Sequence, residues 1–164
     1  MLIYDAYRPW YVTKMFWDAT PARLHTFVAN PAKGSKHNRG CAVDLGLYDL
    51  RTNEPISMPS GYDEMTLRAH PGYGGGAALE RAHRDALRKA MEAEGFTVDR
   101  GEWWHYDYKA WRQYPILNIP FERVGSGGKK SFCTFETPMR LGLTAGNENL
   151  SSTSGARALF FRWL

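Results

Sequence analysis

Between residues 77 and 94 the apolar side chains Leu79, Ala82, Ala86, Leu87, Ala90 and Met91 recur every three or four positions, while Arg81, Arg84, Arg88 and Lys89 mark the other side. That period is an amphipathic helix, which needs a surface for its apolar stripe. Gly95 follows and is placed to end the helix, since glycine takes the left-handed closing conformation without a Cβ penalty. Phe96-Thr97-Val98 then reads as a strand, and Glu102-Trp103-Trp104-His105-Tyr106 as another.

Upstream, residues 2–7 are aliphatic and aromatic and stop at Arg8-Pro9, a strand entering a turn. A small, polar loop over residues 33–40 feeds a stretch, 41–48, whose alternate positions are apolar enough for a strand with one buried face. The connections at 51–61 and 71–76 are rich in Pro, Gly, Asn and Ser and neither reads as a domain boundary. The order strand, strand, helix, strand, strand predicts an α+β fold, a small mixed or antiparallel sheet with packed helices. A strand this early needs a neighbour, so the expectation is a fold whose N-terminal part is missing here. One domain is expected over residues 1–123, followed by an atypical, flexible tail over 124–164 that opens on the linker-like Gly125-Ser126-Gly127-Gly128-Lys129-Lys130.

At 164 residues the chain is long enough for one modest core, and 43% hydrophobic against 23% charged residues argues against wholesale disorder. No apolar run approaches the roughly 18 residues of a membrane span, so no membrane partner is expected. The net charge of +4 is uneven: five bases against two acids after Val124 leave +3 there and +1 over everything before it. A nucleic-acid binder concentrates positive charge on its folded face, so no nucleic-acid partner is expected either. Cys41 and Cys133 form no disulfide framework and no CxxC pair, and Met1-Leu2-Ile3-Tyr4-Asp5 has no basic, then apolar, leader pattern. The expected compartment is the cytoplasm.

The chemistry concentrates in Ser35-Lys36-His37-Asn38-Arg39-Gly40-Cys41-Ala42-Val43-Asp44 and Glu102-Trp103-Trp104-His105. A hydrolytic zinc site needs about three imidazole or carboxylate ligands and one position left for water. His37, Asp44 and His105 supply that set, for one Zn2+ per chain. Glu102, three residues before His105, is close enough to reach the water without being a ligand, where a general base belongs. Singly, each has a plainer reading: a solvated loop histidine, an aspartate capping a strand, a Glu-x-x-His recurring by chance. The combination carries the signal, because ligand sets are identified by count and geometry.

In order along the chain, Asp5-Ala6-Tyr7-Arg8-Pro9, the S-x-H-x-x-G-x-A-x-D string at 35–44 and Glu102-Trp103-Trp104-His105-Tyr106 resemble the zinc D-alanyl-D-alanine dipeptidases of the vancomycin-resistance type. These belong to a wider group with D-Ala-D-Ala carboxypeptidases and cell-wall endopeptidases, which share a hedgehog-like fold. The resemblance covers residues 2 to about 121. It implies His37, Asp44 and His105 as zinc ligands, Glu102 as catalytic base, and Arg8 as the group that stabilises the developing oxyanion. It also implies Asp63 as the carboxylate holding the substrate's ammonium and Ser35 as a substrate-orienting hydroxyl. Without it, Arg8 reads as a surface arginine at a strand end, Asp63 as a solvated loop residue and Ser35 as a turn serine.

The function this implies is zinc-dependent hydrolysis of D-Ala-D-Ala, affecting peptidoglycan precursor supply or dipeptide salvage. Two alternatives stand beside it: a D,D-carboxypeptidase or endopeptidase on longer wall peptides, and a non-catalytic zinc-binding fragment. The expected partner is D-Ala-D-Ala or a related small peptide. His25, His70 and His83 have no ligand-spaced partner, Trp103 and Trp104 read as core and pocket walls, and Cys41 as a small buried residue.

Overall fold

A computed structural model describes residues 1–124. Four strands, β1 (Leu2–Asp5), β2 (Ala42–Gly46), β3 (Phe96–Val98) and β4 (His105–Tyr108), form one sheet in the order β1-β2-β4-β3. Every pairing is antiparallel, which settles the sheet type within the expected α+β class. Two α-helices, α1 (Trp10–Ala19) and α2 (Ala78–Ala93), accompany it, with short 3-10 turns between. Among the described residues no helix is long and apolar enough to cross a membrane. The expected tail lies, apart from Val124, outside the described residues.

Strand parity separates core from site. In β2, Val43 and Leu45 point one way and Asp44 the other; in β4, Tyr106 points one way and His105 and Asp107 the other. Val43 pairs with Tyr106, and Asp44 with His105. The Val43 face joins Leu87 and Met91 of α2, Phe96, Met58, Trp103 and Trp104 in one buried cluster. β2 is buried at every position rather than on one face as expected, because it is central and both of its faces are covered.

Two other expectations change. The helix is rotated from its expected orientation: Leu79 is 66% exposed, while Arg84 is buried beside Leu87 and Met91 at helical spacing. Arg84 can lie inward because Nη1 donates to the Tyr73 carbonyl at 2.7 Å and Nε and Nη2 to Asp85 at 2.9 Å, so its buried head group is satisfied. The last strand begins at His105, not Glu102, and residues 102–104 form a turn. On a strand, Trp103 and Trp104 would face opposite sides; the turn sends both into the core, edge to face at 5.4 Å.

Helix α1 was not legible in the sequence. It follows Pro9, whose fixed φ suits a helix start. Its one buried residue, Thr13, accepts a hydrogen bond at 2.8 Å from the fully buried Asn38 side chain, which also donates to the Arg8 carbonyl. Asn38 thereby ties the helix, the β1 turn and the loop before β2 to one another.

Candidate metal centre and active site

Each ligand of the expected set is delivered by a different piece of backbone. His37 opens a 3-10 turn, His37–Arg39, closed by Gly40 in the left-handed conformation at φ 65°. Ser35 braces that turn: its Oγ accepts from the His37 N–H at 3.2 Å, and its own N–H donates to Asn38 Oδ1 at 2.7 Å. Asp44 and His105 are opposite one another across β2 and β4, where side chains on one face are nearest neighbours.

The three side chains converge. His105 Nδ1 lies 2.9 Å from Asp44 Oδ1, His37 Nε2 lies 3.4 Å from the same oxygen, and the two ring nitrogens are 3.2 Å apart. The far nitrogen of each ring is already committed. His37 Nδ1 is 2.7 Å from the Ala6 carbonyl, which can only accept, so the proton is on Nδ1 and the Nε2 lone pair faces Asp44. His105 Nε2 donates to Asp107 Oδ1 at 3.0 Å, leaving its Nδ1 lone pair inward.

Two lone pairs and a carboxylate oxygen thus meet in a buried place, and Asp44 Oδ1 there has no hydrogen bond of acceptable geometry. Such a cluster favours a cation. Imidazole, imidazole and carboxylate within 4.8 Å of one another can hold a metal ion, and the donor types suit zinc. The titration behaviour has the same origin. A proton competes with a metal ion for that place: burial opposes a charge on His105, but its contacts with Asp107 and Asp44 outweigh that and raise its pKa to about 10, so an ion would displace the Nδ1 proton to use that lone pair. Burial raises Asp44, but the two imidazoles more than offset it and hold the carboxyl well below the usual range. Tyr62 is pushed up by burial and then by Asp44, so its hydroxyl keeps its proton, and it lies 3.4 Å from Asp44 Oδ2.

Glu102 sits beside this cluster without joining it, Oε2 being 3.9 Å from His105 Nδ1. Burial, with additions from Asp44, Asp99 and Asp63 and opposed by His105, raises its pKa to about 7. Glu102 and Asp63 share the walls of a cavity of about 260 Å³, with Trp104, Phe27 and Met65 among the others. Asp63 occupies the left-handed region at φ 56°, uncommon for a residue other than glycine. Burial, followed by Asp44, pushes its carboxyl upward.

Arg8 is tethered rather than loose at the surface. Its Nε donates to Asp5 Oδ2 at 2.8 Å, Nη2 pairs with the same oxygen, and the guanidinium lies 5.0 Å from the Phe16 ring centre. Asp5 Oδ2 in turn lies 3.9 Å from His37 Nδ1. Of the remaining histidines, His25 stacks on Trp17, His83 meets the Ser57 carbonyl, and His70 lines the cavity that Glu102 and Asp63 share. Cys41 is buried, as expected. Sequence reading missed Asp107, whose only sign was its place two residues after His105, which puts both side chains on one face of a strand.

Comparison with known proteins accounts for this arrangement. The model of the D-Ala-D-Ala dipeptidase family, Peptidase_M15, matches residues 1–119. A D-alanyl-D-alanine dipeptidase of Escherichia coli is 36% identical over 128 residues, covering 78% of this chain and 65% of the relative. One from Enterococcus faecalis is 38% identical over 125 residues, covering 65% and 60%, and one from Enterococcus faecium is 36% identical over 138, covering 74% and 67%. The chain therefore spans about two thirds or less of the length of these relatives. The match takes in all three converging ligands, the α+β sheet that carries them and Glu102, and on that footing the chain belongs to the D-Ala-D-Ala dipeptidase family, Peptidase_M15.

Proposed function

We propose that the chain is a zinc metallopeptidase that hydrolyses D-Ala-D-Ala, acting in the cytoplasm on peptidoglycan precursor supply or dipeptide salvage. The observation that carries this reading is the convergence of His37, Asp44 and His105 on one buried point with Glu102 beside it. A zinc ion held there would leave a position for water, lower that water's pKa and polarise the scissile carbonyl.

The chain's own residues do the rest. Glu102, with its pKa raised to about 7, is matched to taking a proton from the attacking water and returning it to the leaving amine near neutral pH. Arg8, held through Nε and Nη2 by Asp5, keeps Nη1 outside that pair and supplies a permanent charge for the carbonyl oxygen as it becomes negative. Asp63, on the cavity that also contains Glu102, pairs with the substrate's ammonium. Ser35 orients the substrate beside the His37 turn it braces.

The test is hydrolysis of free D-Ala-D-Ala, N-acetyl-D-Ala-D-Ala and a wall pentapeptide by zinc-loaded chain, read as released D-Ala. Cleavage of the free dipeptide far ahead of the other two supports the proposal. Equal cleavage of the acetylated dipeptide moves the assignment to the carboxypeptidase branch, and zinc binding without any turnover to the non-catalytic reading.

A further inference from the structure

The two ligand-bearing motifs are joined by an ion pair that the ligand set itself does not require. Lys36 immediately precedes His37, and its Nζ meets Asp107 Oδ2 across 71 residues of sequence. Oδ1 of the same carboxylate accepts from His105 Nε2. One carboxylate therefore links the lysine beside one ligand to the ring of the other. The Asp107 side chain is only 11% exposed, and the Lys36 ammonium also lies 5.5 Å from the Trp111 ring centre, so neither partner is a loose surface charge.

A neutral imidazole carries one proton and can coordinate only through the other nitrogen. An acceptor on Nε2 selects the tautomer with an Nδ1 lone pair and fixes the ring's rotation, the role that outer carboxylates commonly serve for ligating histidines. A carboxylate held at one oxygen only can swing; one held at both cannot. Lys36 occupies Oδ2 and so keeps Oδ1 on the ring.

We infer that Lys36 and Asp107 are a coupled pair of positioning residues, which lock His105 with Nδ1 aimed at the metal point and set the strength with which the His37, Asp44 and His105 cluster binds its ion. The inference rests on the metal reading of that cluster and on no property of the peptide substrate.

The experiment is competition for zinc between the full chain and a chromophoric chelator, accompanied by histidine-selective 1H–15N spectra of the zinc-loaded protein. Asp107→Ala is expected to weaken zinc binding by about 10–100-fold and to abolish the slowly exchanging Nε2 proton of His105. Lys36→Met is expected to weaken binding by a smaller factor, with Lys36→Arg restoring most of it, and to have no further effect in the Asp107→Ala background. Asp107→Asn keeps the shape and an acceptor for Nε2 while removing the charge that holds Lys36, so it reports on the pair should the alanine variant fail to fold; it is expected to match Lys36→Met. Unchanged zinc affinity in Asp107→Asn and Lys36→Met, or additive effects of Lys36→Met and Asp107→Ala, would overturn the coupling. A parent chain that binds no zinc overturns the metal reading itself, whereas zinc binding without peptide hydrolysis leaves this inference standing.

Discussion

Glu102 and His105 are three residues apart yet are set up for different tasks. His105 has one nitrogen held by Asp107 and the other aimed at Asp44, while Glu102 stands 3.9 Å away with burial raising its pKa. Replacing Glu102 with Ala should therefore leave one zinc per chain and lower turnover by about 10²–10⁴-fold, the usual contribution of a positioned general base. Elemental analysis and a D-Ala release assay on the same preparation check this, and loss of zinc along with activity would make Glu102 structural. Under the proposed function Asp63 and Arg8 would divide binding from chemistry. Asp63→Asn should raise KM for the free dipeptide more than it lowers kcat, whereas Arg8→Ala should mainly lower kcat, by about 10²-fold or more. Steady-state kinetics of both variants separates these effects, and a pure KM effect for Arg8→Ala would remove it from the chemical step.

Among the elements, the 3-10 turn carrying His37 depends on a single backbone conformation. Gly40 ends it at φ 65° and donates its N–H to the His37 carbonyl at 3.0 Å before the chain enters β2. A side chain in that region costs about 1–2 kcal/mol. Gly40→Ala should lower the stability of the metal-free protein by about that much in urea unfolding; an unchanged midpoint would show that the turn relaxes without strain. Helix α2 is held by its inward residues, and Leu87, fully buried, is central among them. Leu87→Ala should cost about 2–5 kcal/mol in the same measurement, and Leu79→Ala, at an exposed position, far less. The reverse ranking would contradict the helix's observed rotation.

For the whole molecule, zinc would be a clamp between otherwise separate parts, since its three ligands come from the loop before β2, from β2 and from β4. Ligand binding to the folded state alone adds about 2.7 kcal/mol at a free concentration 100 times Kd. Thermal unfolding should accordingly shift upward with zinc, return on chelation and lose the shift in His37→Ala; an equal shift in that variant would place the zinc elsewhere. All proposed site residues precede Glu122. A chain ending at Arg123 should therefore bind zinc as tightly as the full chain in titration calorimetry, and loss of binding or folding on truncation would assign the remaining residues a part in the fold.

What the sequence determined by itself was chemical type and local period. Imidazole, carboxylate and a nearby glutamate are recognisable because metal hydrolysis needs those groups, and the helix ending at Gly95 is recognisable because its spacing and its stop are both local. The pairing of Asp44 with His105 came from strand register, which no neighbouring residue specifies. Asp107 became meaningful only through the same register, which sets it beside His105 and within reach of Lys36. Arg84 went inward because the Tyr73 carbonyl was there to receive it, and Glu102 fell in a turn because two adjacent tryptophans had to share one core. Helix α1, with Met15 and Phe16 exposed and only Thr13 buried, shows no clean stripe to read. Its position depends on Asn38, 25 residues away from Thr13. Which groups the chain carries was written locally; which of them meet depended on long-range pairing and on burial, each of which must satisfy partners far away in sequence.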